Sequence, residues 1–344
     1  IGVTGTSAAN RVAAEADLVI GIGTRWSDFT TGSRALFARA DVRFANVNVA
    51  SVDASKMGGL AVVADALAAL DLLSRVDYRV DDAYRAEIAR RKAEWDRAVE
   101  RMVATRHTPL PAQHEVIGAV NEAMGEHDVL VCAAGSLPGE LHKLWRARDP
   151  KQYHVEYGYS CMGYEIAGGI GVKLAAPERE VFVMVGDGSY LMMPGEIVTA
   201  VQEGLKIVIV LVDNQGHSSI GALSRSLGLE GFGTQYRYRK NGSLGLDSDR
   251  NTLNALPVDL AANAASLGAR VLRAGTIEEL RAALVQARAA TETTVVYVQV
   301  DRYAGVDAGG AWWDVATAEV AGSDAAREAN ERRTTERRRQ RWHV

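Results

Sequence analysis

The chain has 344 residues, a formal net charge of −4, 47% hydrophobic residues and 24% charged residues. This composition is typical of a globular protein of about two domains, and it gives no general attraction to nucleic acid or to an anionic membrane. No apolar run is long enough to span a bilayer, and Cys132 and Cys161 lack metal-site spacing, so we expect a cytoplasmic protein with reduced thiols and no membrane partner.

The first part of the chain alternates short strands and helices. Its apolar patterns predict strands over 16–23 and 42–49 and a helix over 62–73. Gly21 and Gly23 could begin a dinucleotide fingerprint, but Trp26 stands where the third glycine should be. We therefore favour a plain strand-to-helix turn over a nucleotide site.

A charged helix over 81–102 follows, with Trp95 and Val99 at helical spacing on its apolar face. It is the predicted connector to a second α/β region. In that region the patterns predict helices over 113–124, 165–175, 257–267 and 276–290, and strands over 128–133, 181–185, 207–212 and 294–300. Residues 153–155 form a short segment without an assigned element.

Three further segments are predicted to be irregular or special. Residues 134–139 are rich in structure breakers and are expected to form a loop at the sheet edge. Residues 217–255 lack clear periodicity and are expected to form a lid, a binding loop or a disordered segment. Glycines in the helix over 165–175 predict close approach of another element, and the arginine-rich end of the chain predicts a solvated helix or a disordered tail.

Polar residues follow two of the predicted strands at the point where each strand ends. The strand over 181–185 leads into Gly-Asp-Gly-Ser at 186–189, which a helical pattern follows. The strand over 207–212 then leads into Asp-Asn-Gln-Gly at 213–216. In a parallel sheet both turns fall at the carboxyl edge, where open α/β folds bind ligands. Carboxylate and amide oxygens suit Mg²⁺, and the backbone N–H groups that open a helix suit a phosphate. The sequence therefore predicts a metal-diphosphate site.

These motifs carry a family resemblance. The Gly-Asp-Gly-Ser turn followed by the strand-ending Asn214 resembles the signature of thiamine-diphosphate-dependent enzymes. The stretches 158–175, 186–204, 213–228, 231–239 and 311–320 are similar to those of the trihydroxycyclohexane-dione hydrolases of inositol catabolism. The likeness runs from about residue 16 to residue 320.

The resemblance implies roles for particular residues. Asp187, Asn214 and the Gly216 carbonyl would hold Mg²⁺, and His217 is the candidate for proton transfer. Met162 would bend the cofactor and the Ser160 carbonyl would accept from its aminopyrimidine. The expected cofactor-binding residues are Gly135, Ser136, Leu137, Ser160, Met162, Gly186, Gly188, Ser189 and Tyr190.

Two departures from the family pattern affect this site. Ser136 and Leu137 replace a Gln-His pair found in acetolactate synthase, and Asp213 replaces the first residue of the common Asn-Asn pair. The first departure puts the polar contacts of that loop in doubt. The second places an additional carboxylate beside a metal ligand.

The resemblance also implies an architecture. It is an α/β fold in which part of a Rossmann-like central domain (1–75) and a helical linker (76–107) precede a parallel-sheet diphosphate-binding domain (108–305) and a C-terminal tail (306–344). Family members carry an N-terminal pyrimidine-binding domain whose Glu activates the cofactor across a dimer interface. No matching stretch is present, and the chain begins at Ile1 rather than Met. We therefore expect a fragment that is inactive alone, from a homodimer or homotetramer.

The implied activity is cleavage of a C–C bond in an inositol-derived cyclic diketone, trihydroxycyclohexane-1,2-dione, which opens to 5-deoxy-glucuronate. Two other functions stay open at this point. One is an acetolactate-synthase-like or decarboxylase enzyme that uses the same cofactor. The other is a non-catalytic cofactor-binding subunit.

Overall fold

The computed structural model describes residues 1–246, 254–306, 309–318 and 320–341. Parts of the 217–255 segment and of the C-terminal tail, namely 247–253, 307–308, 319 and 342–344, lie outside the described residues. The chain forms two compact units, Ile1–Glu100 with Asp307–Val344, and Arg101–Val306. Both contain parallel sheets with helices, which confirms the predicted α/β class. Among the described helices none combines the length and apolar character needed to cross a membrane.

The first unit contains a three-stranded parallel sheet in the order β1-β2-β3. Its strands are β1 (Leu18–Ile22), β2 (Arg43–Asn48) and β3 (Leu60–Val63), and its N-terminal helices are α1 (Ser7–Glu15), α2 (Asp28–Thr31), α3 (Ser51–Ser55) and α4 (Ala66–Leu73). The predictions of β1 and β2 are confirmed.

The predicted helix over 62–73 is wrong in its first residues. Leu60–Val63 pairs with β2, because β-branched Val62 and Val63 suit a strand. The helix begins only after Asp65, whose side chain accepts a hydrogen bond from the Ala68 N–H at 3.0 Å.

The position of Trp26 explains why a glycine stands at position 21, near the end of β1. Its indole is buried and makes edge-to-face contacts with Phe37 and Phe44, each at a centroid distance of 5.9 Å. A Cβ on Gly21 would lie 2.3 Å from this indole. Gly21 therefore makes room for an aromatic core at the position where a dinucleotide fold would need space for a ligand.

Helix α5 (Asp82–Ala104) confirms the predicted charged helix, and Trp95 and Val99 are its buried residues. It begins in the first unit and ends in the second.

The second unit is built on a six-stranded, wholly parallel sheet in the order β5-β4-β6-β7-β9-β8. The strands are β4 (Val129–Cys132), β5 (Tyr153–Val155), β6 (Val181–Gly186), β7 (Val208–Asp213), β8 (Arg270–Ala274) and β9 (Thr294–Gln299). All were predicted except β5, where the sequence showed only a short segment, and β8. Strand β8 lies at the sheet edge, and Arg270 and Arg273 interrupt the apolar pattern that marks the buried strands.

Helices cover both faces of this sheet, as a parallel sheet requires. They are α6 (Gln113–Ala123), α7 (Ser136–Leu144), α8 (Tyr164–Ala175), α9 (Asp187–Tyr190), α10 (Glu196–Gln202), α11 (Ser218–Ser226), α12 (Leu260–Ser266) and α13 (Ile277–Ala289). Ile166 of α8, Ile197 of α10 and Leu260 of α12 share one apolar core with the alternate residues of the central strands.

Three predicted segments differ from the structure. The breaker-rich loop over 134–139 is already helical from Ser136, because Gly135 turns the backbone with φ +87° and lets α7 begin. The long segment from His217 starts with α11 instead of irregular chain. The helical region between β6 and β7 is divided into α9 and α10, with Pro194 and Gly195 between them.

The C-terminal residues of the first unit form α14 (Asp324–Arg337), so the helical alternative for the tail is the correct one. Ala326 and Ala329 are its buried residues, and the Arg333 Nε donates to Asp314 Oδ1 at 2.5 Å.

The helix glycines of α8 give a stability prediction. A Cβ on Gly169 would lie 2.4 Å from Val183 Cγ2 of β6, whereas a Cβ on Gly171 would meet nothing within 4 Å. We expect Gly169→Ala to lower the free energy of unfolding by about 1–3 kcal/mol because it overpacks the helix–sheet contact. The matched control Gly171→Ala should raise it by about 0.4–1 kcal/mol through the unfolded state. Chemical denaturation of both variants measures the difference, and equal effects would contradict the packing explanation.

Candidate functional site

The sheet of the second unit has a switch point between β4 and β6. The chain leaves β4 for β5 on one side and then returns past β4 to form β6 on the other side. Loops that follow β4 and β6 therefore diverge and leave a crevice at their carboxyl ends, which is where open α/β folds bind ligands. Ala134 and Gly135 follow β4 at this edge, while Asp187 follows β6 and Asn214 follows β7.

Asp187 and Asn214 each present a buried oxygen without a partner. Both residues are less than 10% exposed. Asp187 Oδ2 accepts a hydrogen bond from the Gly216 N–H at 2.6 Å, but Asp187 Oδ1 and Asn214 Oδ1 have no hydrogen-bond partner. A buried oxygen without a partner destabilises the fold unless a ligand binds it. Carboxylate and amide oxygens are ligands for a hard cation.

The electrostatics of this edge favour a cation as well. Burial, and next to it the negative charge of Asp213, raise the pKa of Asp187 to about 8. The Asp213 carboxylate is buried too, and it accepts hydrogen bonds from the Tyr297 hydroxyl at 2.6 Å and from the Gln215 N–H at 2.8 Å. A divalent cation would offset the negative charge of this carboxylate pair.

No group of three or more His, Cys, Asp or Glu side chains within the described ranges could hold a metal ion. A metal at this edge would therefore need the Asn214 amide oxygen and a backbone carbonyl in addition to the Asp187 carboxylate.

The turn after β7 is fixed in a conformation that requires glycine. Gln215 and Gly216 have φ values of +61° and +147°, and a Cβ on Gly216 would lie 2.2 Å from the Thr234 carbonyl oxygen. The Arg302 guanidinium donates to the carbonyls of Asn214, Gln215 and Thr234 at 3.0–3.2 Å. The first two carbonyls of the turn are thus already engaged, which leaves the Gly216 carbonyl as the backbone candidate for a metal.

Gly188 separates His217 from Met162. A Cβ at position 188 would lie 2.8 Å from His217 Nδ1 and 3.5 Å from Met162 Cε, so glycine is needed there for these two side chains to pack against the turn. The His217 ring packs edge-to-face on Tyr236 at 6.0 Å. The Tyr236 hydroxyl is buried without a partner, and burial and the charges of Asp187 and Asp213 raise its pKa.

Ser189 and Tyr190 occupy positions other than those expected for cofactor contacts. The Ser189 hydroxyl donates to the Glu165 carboxylate, with O···O distances of 2.7 and 2.8 Å, and accepts from the Gly163 N–H at 2.8 Å. The Tyr190 ring lies in the apolar core and its hydroxyl donates to Asn263 Oδ1 at 2.8 Å. Direct contact with a diphosphate would therefore come from the backbone of this turn.

The remaining expected cofactor residues differ in their surroundings. A Cβ on Gly135 or Gly186 would meet nothing within 4 Å, so both face open space. Ser136 donates to Gln113 Oε1 at 2.9 Å, and the Leu137 side chain is buried. Ser160 has a left-handed backbone with φ +54° just before Met162.

Three residues of this edge were not singled out from the sequence: Glu165, Tyr297 and Arg302. Arg302 follows β9, the neighbour of β7, so the rule that located Asp187 and Asn214 could have located it. Glu165 is the one carboxylate in a helix made mostly of apolar residues and glycines. A lone charged residue in such a helix indicates a specific role, so the sequence could have identified it. Tyr297 gave no such signal, because a tyrosine within an apolar strand is common.

Comparisons with known proteins agree with this geometry. Residues 133–298 match the family described as thiamine pyrophosphate enzyme, C-terminal TPP binding domain, and residues 1–73 match its central domain. The chain is 41% identical to a 3D-(3,5/4)-trihydroxycyclohexane-1,2-dione hydrolase 1 of Bacillus cereus. It is 41% identical to the hydrolase of Bacillus thuringiensis (strain Al Hakam) and 40% identical to that of Bacillus anthracis. Each comparison covers 96% of this chain and 55% of the relative, so the chain spans about half the length of these curated relatives.

The buried carboxylate pair predicts a pH-dependent stability of the metal-free protein. The pKa of Asp187 rises from 3.8 to about 8 on folding, so the folded state binds more protons than the unfolded state between these values. The free energy of unfolding should therefore fall as the pH rises from about 4 to about 8. Asp187→Asn should flatten this dependence.

Thermal unfolding in chelator at several pH values across this window measures the effect. Asp82→Asn is the matched control, because the Asp82 side chain is 96% exposed, and it should leave the slope unchanged. The same slope in wild type and Asp187→Asn would contradict the assignment of the raised pKa to Asp187.

Proposed function

Because the chain belongs to the thiamine pyrophosphate (thiamine diphosphate) enzymes, we propose that it forms the metal- and diphosphate-binding part of a hydrolase that opens a cyclic 1,2-diketone. The observation that carries the proposal is the pair of buried, unpartnered oxygens, Asp187 Oδ1 and Asn214 Oδ1, at neighbouring strand ends. The names of the relatives, trihydroxycyclohexane-dione hydrolases at 40–41% identity, support the substrate class.

The residues present fit the cofactor and its metal. Asp187, Asn214 and the Gly216 carbonyl would hold Mg²⁺, which takes oxygen ligands and retains places for diphosphate oxygens and water. The backbone at Gly188 would face the diphosphate, because a larger residue there would clash with His217. Met162, whose side chain also approaches Gly188, would support the thiazolium ring. Bound thiamine diphosphate supplies a nucleophilic carbon and an acceptor for the electron pair of the broken C–C bond.

His217 is the proposed proton carrier of this chain. Its imidazole lies against Gly188, and the Tyr236 ring packs on it edge-to-face. A histidine at this place could take a proton from water or return one to the product near neutral pH. Arg302 and Tyr297 act indirectly, because they fix the turn that carries Asn214 and Gly216.

We further propose that the site is completed by another polypeptide segment in a homo-oligomer. An exposed apolar surface borders the site: Tyr159 is 88% exposed, and Met162, Met192 and Met193 are between 36% and 57% exposed. A Cβ on Gly163 would lie 3.3 Å from Met193 Cβ and 3.5 Å from Met192 Cβ, so these residues adjoin the Met162 turn. Exposed apolar surface beside a polar cleft is typical of an interaction site. The chain alone is therefore expected to be inactive.

The metal assignment predicts the behaviour of Asn214→Ala in the full-length protein. Removing the amide oxygen should weaken Mg²⁺-dependent binding of thiamine diphosphate by at least about a hundredfold, because a direct ligand is lost. Asn121→Ala is the matched control, since Asn121 lies at the end of α6 and donates to the Arg146 carbonyl. Calorimetric titration with and without Mg²⁺ provides the measurement, and undiminished affinity of Asn214→Ala would rule the ligand out.

The proposed reaction predicts the substrate. The full-length protein with Mg²⁺ and thiamine diphosphate should open the ring of trihydroxycyclohexane-1,2-dione and should not turn over pyruvate. Product analysis by mass spectrometry measures both reactions. This chain tested alone should turn over neither substrate. Mixing the chain with the separately produced remainder of the protein should restore ring opening.

Pyruvate turnover would instead indicate an acetolactate-synthase-like or decarboxylase enzyme. Cofactor binding without turnover of either substrate would indicate a non-catalytic subunit.

A further inference from the structure

Glu165 is a buried carboxylate for which the proposed reaction has no use. It lies in the first turn of α8, is 1% exposed and sits between the ends of β4 and β6, at the switch point of the sheet. Its carboxylate therefore lies next to the segments that follow β4 and β6.

Three donors from three different segments converge on this carboxylate. Glu165 Oε1 accepts from the Ala134 N–H at 3.2 Å, and Oε2 accepts from the Gly163 N–H at 3.2 Å. The Ser189 hydroxyl donates to the same carboxylate, at 2.7 and 2.8 Å from its two oxygens. Ala134 follows β4, Gly163 follows Met162, and Ser189 belongs to the turn after β6. One side chain thus joins both sides of the crevice.

Stability alone is a poor explanation for a glutamate at this place. Burial raises the pKa of Glu165, and the groups that oppose this rise are the neutral donors Ser189, Ala134 and Gly163. An apolar side chain of similar volume generally stabilises a core at least as well as a buried charge. The carboxylate differs from such a side chain in offering directed acceptors, which fix the positions of the groups that donate to them.

The Met162 turn is held from two sides. On its outer side Glu156 accepts hydrogen bonds from the Tyr159 N–H at 3.0 Å and the Cys161 N–H at 2.7 Å. On its inner side Glu165 accepts from the Gly163 N–H. Met162 therefore lies between two residues whose N–H groups are each bound by a glutamate, and its side chain is directed beside Gly188.

We propose that Glu165 is a positioning residue that fixes the end of β4, the Met162 turn and the turn at Ser189 in the arrangement that binds thiamine diphosphate. The inference rests on the proposed function for the identity of the ligand. It assigns Ser189 a role through Glu165 in place of a direct hydroxyl contact with the diphosphate. A binding site fixed in advance loses less conformational freedom when the ligand arrives, so affinity depends on the residues that fix it.

The test uses Glu165→Gln and Ser189→Ala in the full-length protein. Each change removes part of the network with little change in volume, and each should weaken thiamine diphosphate binding on the order of tenfold, the effect typical of groups that support direct ligands. Hydrogen exchange of the ligand-free protein should speed up at the Ala134 and Gly163 amides in Glu165→Gln. The double variant should be little worse than either single one, because both changes break one network.

Two controls separate positioning from stability. Thr293→Val removes a buried hydrogen bond, from Thr293 Oγ1 to the Leu205 carbonyl at 2.7 Å, at the start of β9 and so at the opposite edge of the sheet. It should lower the melting temperature and leave cofactor affinity unchanged. Glu178→Gln, at an exposed glutamate, should change neither quantity.

The outcomes decide between the two claims. Wild-type affinity and unchanged amide exchange in both Glu165→Gln and Ser189→Ala would overturn the positioning role, as would an equal loss of affinity in Thr293→Val. If Glu165→Gln does not fold, Ser189→Ala, which removes one hydroxyl, decides alone. Failure of the wild-type protein to bind thiamine diphosphate would overturn the proposed function instead, and the exchange comparison would still decide whether Glu165 holds the three segments.

Discussion

A buried carboxylate needs donors or a cation, and three of them, Asp187, Asp213 and Glu165, lie at one edge of a single parallel sheet. Each satisfies this need in a different way. Asp213 is bound by Tyr297 and Gln215, and Glu165 is bound by Ser189 and two backbone amides. Asp187 keeps one oxygen without a partner. The first two carboxylates therefore hold parts of the protein together, while the third is the one for which we propose a bound cation. Most other features of the site, including the strained turn after β7, follow from holding these charges in place.

Because the sheet is parallel, polar residues that follow different strands in the sequence lie together at one edge of the sheet. Every strand of the second unit runs in the same direction, so the residues that follow β4, β6, β7 and β9 meet at one edge although they are far apart in the chain. The switch point opens that edge between β4 and β6. Residues of the same chemical kind placed before the strands would lie at the opposite edge, more than a strand length away, and could not share a ligand. Burial then decides what each residue can do, because an oxygen atom without a hydrogen-bond partner costs far more free energy when water cannot reach it.

This regularity also explains how much could be predicted. The central strands were located because they are continuous apolar runs, and Asp187 and Asn214 were located because they end such runs. The edge strand β8 was missed because its two arginines interrupt that signal, and α11 was missed because its apolar positions are few. Contacts between distant segments left no local trace: nothing near Ser189 in the sequence shows that its hydroxyl turns inward to Glu165, or that the Tyr190 ring belongs to the core. Those positions depend on packing, which no single stretch of sequence contains.

The turn after β1 in the first unit and the turn after β6 in the second unit are filled by different kinds of side chain. In the first unit the turn after β1 is filled by the Trp26 indole, which packs on Phe37 and Phe44, and Gly21 is small for the sake of that ring. In the second unit Gly188 leaves room for the polar His217 ring, and the neighbouring oxygens Asp187 Oδ1 and Asn214 Oδ1 have no partner. The same kind of substitution therefore has different consequences in the two units. Around Trp26 we expect shape and volume to decide whether a substitution is tolerated, whereas around Asp187 we expect the identity of each oxygen atom to decide it.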